Sequence, residues 1–162
     1  MRICVWQNGI VLGEIQVARM SADDADFLKL VRELDAYLSV FNGADDAVYS
    51  GFNKLDTVYG AVVGYKDGVG VGCGAFRDLG NGLGEVKRMF VKPESRGLGV
   101  AYRVLVELED WAREAGLTRF QLETGTELPD ARRLYERSGY EYIPNYEPYV
   151  GLDRSVCMAK SL

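Results

Sequence analysis

The chain switches between two spacings of apolar residues, and each switch marks an element. Phe27, Val31, Leu34, Leu38 and Phe41 recur at three- and four-residue intervals, the stripe of a helix about five turns long. Asn42-Gly43 stops that helix, and Ser21-x-x-Asp24 ahead of it has the form of a capping box. Asp26, Glu33 and Asp35 fall off the stripe and are expected to form a solvated face.

Two-residue alternation takes over further on. Thr57 to Tyr65 and Val69 to Phe76 are β-rich runs joined by Lys66-Asp67-Gly68, a hairpin signal. Asn81-Gly82 marks the next reversal, into a strand where Val86, Arg88 and Phe90 alternate with Lys87, Met89 and Val91. Pro93 ends that ladder, having no N–H to donate. Helical spacing returns in Ala101, Val104, Leu105, Leu108, Trp111, Ala112 and Ala115, with Gly116 as the cap.

Thr118 to Thr124 then alternates Phe120 and Leu122 against Arg119, Gln121 and Glu123. A helix separates this strand from the Glu85 strand, so the two are expected to run parallel. Pro129 suits the first turn of a short helix with Ala131, Leu134 and Tyr135 on its inner face, ended by Gly139. Tyr140 to Ile143 and Ser155 to Lys160 read as strands around an aromatic loop, Pro144-Asn145-Tyr146-Glu147-Pro148-Tyr149. Near the start, Ile3 to Trp6, Asn8-Gly9 and Ile10 to Met20 read as a hairpin, or as a short strand leading into a second. Ala44 to Asp56 carries no period. The order predicts an α/β (α+β) fold: one domain over 1–162, a mixed sheet with helices on both faces, and 1–20 as an extra strand or hairpin.

Composition narrows the function. With 48% hydrophobic and 27% charged residues in 162, this is ordinary soluble globular stock. The net charge of −5 argues against nucleic acid or an anionic membrane as partner. No apolar run approaches the roughly 20 residues of a spanning helix. The opening, MRICVWQNGIVLGEIQ, is too broken in apolar character for a secretion signal. Cys4, Cys73 and Cys157 lie far apart and are odd in number, so reduced thiols and a cytoplasmic location are expected. The chain has 0 histidines, which removes Ser-His and Cys-His nucleophile pairs and histidine zinc sites, and no metal is expected. Acid–base chemistry falls to carboxylates, tyrosines, lysines, thiols or water.

The charge is uneven, however. Lys87, Arg88, Lys92, Arg96 and Arg103 surround Gly97-Leu98-Gly99, with Glu94 opposing them. A glycine loop between a strand and a helix brings backbone N–H groups to a ligand, and a helix start favours negative charge. A phosphate-bearing ligand fits. The Walker loop does not, since Gly99 is followed by Val100 and Ala101 where Lys and Ser or Thr are needed. Gly70-x-Gly72-x-x-Ala75 nearly matches a dinucleotide fingerprint, but a turn follows it where a helix should start. Its alternate glycines are expected to thin one face of a strand.

Arg96-x-x-Gly99-x-Ala101, preceded by EVKRMFV, resembles the acyl-coenzyme A loop of the GNAT superfamily of N-acetyltransferases. Ala131-x-x-Leu134-Tyr135-Glu136-x-x-Gly139-Tyr140 resembles a second block of that family. The likeness covers about Thr57 to Lys160. It implies a parallel strand pair that splays open, with acetyl-coenzyme A as cosubstrate. Its pyrophosphate would lie on Arg96, Gly97, Leu98, Gly99, Val100 and Ala101, its pantetheine arm along Met89, Phe90 and Val91. A backbone N–H near Met89 would polarise the thioester carbonyl, and Tyr135 would protonate the departing thiolate. Glu85, four residues before Met89, is placed as the base, with Glu123 or water as the rival. Where many members carry an Asn before the Tyr135 helix, this chain has Thr126-Glu127-Leu128-Pro129.

The expected activity is direct acetyl transfer to a primary amine on a small molecule or peptide, by a monomer or homodimer. Asp45, Asp46, Tyr49 and Phe52, with Tyr146, Glu147 and Tyr149, would offer that amine an aromatic and acidic surface. Two other readings share the loop: a non-catalytic acyl-coenzyme A sensor, and a transferase of another acyl group.

Overall fold

The computed structural model describes residues 14–162. The reversal at Asn8-Gly9 lies outside them. The chain runs β1 (Ile15–Met20), α1 (Ala25–Asn42), a 3-10 turn, α2 (Asp46–Ser50), β2 (Gly60–Lys66), β3 (Val69–Gly80) and β4 (Leu83–Val91). After the glycine loop come α3 (Val100–Glu114), β5 (Arg119–Gly125), α4 (Pro129–Arg137), β6 (Glu141–Ile143) and β7 (Ser155–Ser161). The strands form one seven-stranded sheet in the order β1-β2-β3-β4-β5-β7-β6. Every pairing is antiparallel except β4 with β5.

Two apolar layers close the faces. Phe27, Leu30, Val31 and Leu34 of α1 pack on Ala61, Val63, Cys73, Ala75 and Phe90. On the other face Val100, Val104, Leu105 and Leu108 of α3, with Tyr135 of α4, meet Val62, Phe76, Val86 and Leu122. The alternate glycines of β3 do thin a face. A Cβ on Gly72 would lie 2.6 Å from Val100 Cγ1 and 3.0 Å from the Phe90 carbonyl, so α3 reaches the sheet only over glycine.

Local details differ from the periodic reading for physical reasons. Asp24 caps α1, its Oδ1 accepting from the N–H groups of Asp26 at 2.9 Å and Phe27 at 3.1 Å. Ser21 precedes the helix as part of a turn. The acids of α1 are tied to the sheet instead of facing water alone. Asp26 accepts from Tyr65 Oη at 2.7 Å, Glu33 pairs with Lys92 at 3.4 Å, and Asp35 pairs with Arg88.

Strand β4 does not alternate cleanly. Its ladder with β3 passes from Lys87↔Ala75 to Phe90↔Cys73, which leaves one residue extra on β4. Arg88 sits in that bulge at φ 59°, and its side chain turns under α1, Nη2 meeting Asp35 and the Val31 carbonyl. Met89 and Val91 therefore pack with the α3 layer, while Arg88 and Phe90 meet α1.

Gly72→Ala should destabilise the fold by roughly 1–3 kcal/mol, the usual cost of overpacking. The added methyl must displace either α3 or the backbone of β4 at Phe90. Denaturant unfolding of the two proteins measures it; equal midpoints would mean that the α3 layer yields freely.

Candidate active site

Strands β4 and β5 share only three rungs, Leu83↔Arg119, Gly84↔Phe120 and Glu85↔Gln121. Beyond them β4 stays with β3 as far as Val91, and β5 stays with β7 as far as Gly125. The two halves of the sheet diverge, and the β4 edge from Val86 to Val91 faces a cleft instead of a strand. That cleft holds about 1040 Å³ and is walled by α1, the glycine loop, the start of α3, β5 and α4. An edge with unpaired backbone groups can accept an extended ligand as an added strand. Met89, Phe90 and Val91 all line it, as do Arg96, Gly97, Gly99, Val100 and Ala101. Leu98 is exposed and does not line it.

The glycine loop leaves its backbone open at the cleft mouth. Gly97 and Gly99 have φ of 79° and 78°, and a Cβ on either would meet nothing within 4 Å. They are glycines for their backbone angle, and the space above them is open. Gly99 caps α3 without a side chain, so the first N–H groups of the helix lack an intrahelical partner.

The cations around the loop do not form a free island. Lys87, Arg88 and Lys92 face Glu85, Asp35 and Glu33, and Arg103 donates to the Ile15 carbonyl at 2.7 Å. Arg96 stays at the mouth, its Nε on the Val91 carbonyl at 3.2 Å and its guanidinium over the Tyr37 ring at 5.2 Å. At the loop itself the cleft mouth therefore presents backbone N–H groups and Arg96.

Tyr135 lies buried in the cleft wall, edge-on to Tyr140 at 5.7 Å, and its hydroxyl has no hydrogen-bond partner among the described residues. Burial, with Glu123 adding to it, pushes its phenol above the usual range, so it stays protonated at neutral pH. The two candidate bases fare differently. Glu85 is fully buried on the last shared rung and does not line the cleft. It accepts from Arg77 Nε at 2.6 Å and from Tyr146 Oη at 3.2 Å, and Lys87 Nζ lies 3.6 Å away. Glu123 sits two residues beyond its strand's last rung and lines the cleft. It accepts a hydrogen bond from Ser155 Oγ at 2.7 Å, and burial raises its carboxyl above the ordinary value.

The expected acceptor surface is only partly in place. Tyr49 lines the cleft, and Phe52 lies edge-on to Tyr149 at 5.5 Å. Tyr149, expected at the surface, is buried, its hydroxyl accepting from Lys87 Nζ at 2.8 Å. Glu147 is exposed and Tyr146 half-buried. Asp45 is paired with Arg154 at 3.3 Å, and Asp46 accepts from Asn42 at 3.3 Å.

Three participants were not singled out in the sequence: Lys87 as a cleft residue, Ser155 beneath Glu123, and Arg154. The last joins the α1 end to the β5–α4 loop through the Phe41 carbonyl at 3.1 Å and Glu127 at 2.8 Å. No spacing rule would have found Ser155, because β7 reaches β5 only through the sheet.

Residues 28–140 match the acetyltransferase (GNAT) family. An "IAA acetyltransferase" of Azospirillum brasilense is 36% identical over 152 residues, covering 91% of this chain and 98% of that protein. An uncharacterized N-acetyltransferase of Schizosaccharomyces pombe is 31% identical, covering 83% of this chain and 85% of its own. Among solved structures, a Klebsiella pneumoniae chain named as an acyl-CoA N-acyltransferase has a TM-score of 0.76 at 31% identity, covering 91% of this chain and 97% of its own. A Thermoplasma acidophilum N-acetyltransferase, solved in complex with coenzyme A, shares the fold at a TM-score of 0.71 and 14% identity, covering 92% of this chain and 99% of its own. The open parallel pair, the glycine loop and these relatives agree: the chain belongs to the GNAT family and is an acetyl-coenzyme A-dependent N-acetyltransferase.

Proposed function

We propose that this enzyme moves the acetyl group directly onto a primary amine, on a small molecule or a peptide, as one cytoplasmic domain acting as a monomer or homodimer. The observation that carries the reading is that β4 parts from β5 beside both Tyr135 and Glu123. The loop from Arg96 to Ala101 holds the pyrophosphate, and the β4 edge at Met89, Phe90 and Val91 takes the pantetheine arm. A backbone N–H of that edge polarises the thioester carbonyl.

Glu123 is preferred to Glu85 as the base because it faces the cleft and accepts one hydrogen bond, whereas Glu85 is bound by Arg77 and Tyr146. The ammonium gives one proton to Glu123, and the free amine attacks the carbonyl carbon. The C–N bond forms, the C–S bond breaks, and the coenzyme sulfur takes the Tyr135 proton. The nitrogen's second proton restores the phenol. Direct transfer is favoured because both described thiols are buried, with burial pushing Cys73 up to about 12 and raising Cys157 as well. Those free thiols also support the cytoplasm, and the net charge of −5 speaks against nucleic acid.

Gly99→Asp should weaken coenzyme A binding more than tenfold, or 1.4 kcal/mol, by placing a carboxylate where phosphate belongs. Calorimetry reads the affinity, and an unchanged value in a folded variant would remove the loop from the site.

Tyr135→Phe should lower kcat by roughly 10²-fold and leave coenzyme A affinity within a few fold. Thiol release from acetyl-coenzyme A, screened over amines, amino acids and peptides against a no-acceptor control, tests both the acceptor class and this variant. Wild-type turnover in the variant would make Tyr135 a packing residue.

A further inference from the structure

Glu123 is enclosed by ionisable groups from four elements: Lys87 and Glu85 on β4, Tyr135 on α4, Cys157 on its partner β7, and Tyr149 in the β6–β7 loop. Among the described residues one side chain donates a hydrogen bond to it, Ser155, at 2.7 Å. Ser155 is buried on β7, its own N–H bonded to the Leu152 carbonyl at 3.0 Å and its carbonyl to Asn145 Nδ2 at 3.0 Å. The hydroxyl is therefore fixed by backbone on both sides. On its far side lies Tyr49 Oη, at 3.4 Å.

The direction of these bonds follows from their chemistry. An ionised carboxylate only accepts, so the serine's single proton points to Glu123. The proton between Ser155 and Tyr49 must then come from the phenol. Tyr49 belongs to α2, lines the cleft, and rests edge-on against Phe52, which in turn meets Tyr149. A line of two hydroxyls thus runs from the α2 wall of the cleft to the half-buried Glu123 carboxylate.

We propose that Tyr49 and Ser155 are a proton relay that carries the acceptor's ammonium proton to Glu123. This rests on the reading of Glu123 as the base. The ammonium N–H gives its proton to Tyr49 Oη as the phenolic proton passes to Ser155 Oγ and the serine proton to Glu123 Oε1. Both hydroxyls end intact, the amine is neutral, and the carboxylate has become a carboxylic acid, which returns its proton to water after product leaves. The 3.4 Å step is long for a hydroxyl pair, as catalytic hydrogen bonds often are before substrate binds. Tyr49 touches the amine and is the catalytic member; Ser155 acts through Glu123.

Thiol release with tyramine, a primary alkylamine carried on a phenol ring, tests the relay in the intact enzyme. Tyr49→Phe and Ser155→Ala should each slow kcat by roughly 10²-fold with the KM for acetyl-coenzyme A unchanged, and Ser155→Thr should recover most of the loss. Glu123→Gln should be slow by itself, and adding Tyr49→Phe to it should cost nothing more. Costs that multiply in the double variant would overturn the relay while leaving Glu123 as base. Wild-type turnover in Glu123→Gln would overturn the base and the relay together.

A second measurement needs no acceptor. The Ser155 hydrogen bond favours the charged carboxylate, so Ser155→Ala should move the titration of Glu123, followed by carbon NMR of its labelled carboxyl, to higher pH. The acid limb of kcat/KM, lost as pH falls through that midpoint, should move upward with it. If tyramine releases no thiol above the control, the carboxyl titration decides, and an unmoved midpoint would overturn the proposal.

Discussion

Two parallel strands can share a ladder only while nothing turns one of them aside. Here β4 carries one residue more than β3 across the bulge at Arg88, and its ladder with β5 ends three residues earlier, at Glu85. A non-glycine residue at positive φ costs roughly 1–3 kcal/mol and persists only where its surroundings hold it. Arg88 is held from below, its buried guanidinium against Asp35 and the Val31 carbonyl of α1. From above, Cys73 donates its thiol proton to the Arg88 carbonyl at 3.5 Å. The cleft thus exists because a helix on one face anchors a strained residue in the middle of the sheet. Removing that anchor would let β4 straighten and close its edge.

The same anchoring explains why the basic cluster is not a basic patch. Lys92 and Arg88 turn toward α1, whose acids Glu33 and Asp35 receive them, and Arg103 turns toward β1. The donors left open beside the loop are instead backbone ones, at the two left-handed glycines and the unpaired N–H groups at the start of α3. Such donors cost little further ordering when a ligand arrives, because the fold already fixes them. The apolar packing of Val100 and Val104 over Gly72 is part of this arrangement, since it sets how closely the helix start approaches the β4 edge.

Much of this was legible in the sequence because it is local. Helix stripes, the two tight turns at Asp67-Gly68 and Asn81-Gly82, and the glycine loop each depend on residues within one turn or hairpin, and each lies where the periodicity places it. The block ending in Tyr135-x-x-x-Gly139-Tyr140 likewise brings Tyr135 to the cleft wall. What was not legible is long-range. The bulge that redirects Arg88 has no marker in EVKRMFV, because a bulge is defined by the count of residues on the partner strand. The burial of Tyr149 requires knowing that its loop folds back over Lys87. Ser155 follows Glu123 by more than thirty residues, and only the β5–β7 register brings the two side chains together.

The register also separates two carboxylates that look equivalent in the sequence. Glu85 and Glu123 lie on neighbouring parallel strands, yet one sits on the final shared rung and the other two residues past the rung of its own strand. At the rung the strands are close, and Arg77, Tyr146 and Lys87 converge on Glu85 from the adjoining strand, the β6–β7 loop and β4 itself. A carboxylate whose oxygens are so engaged braces the apex of the opening; its loss would leave Arg77 and Lys87 facing each other without a counter-charge. Past the rung the strands have parted, and Glu123 keeps, among the described residues, a single serine donor and an open side. One geometric event, the end of a three-rung ladder, therefore gives the first acid a structural setting and the second a setting suited to proton transfer. Replacing Glu85 and replacing Glu123 are thus different experiments, the first acting on how the cleft is held open and the second on what happens inside it.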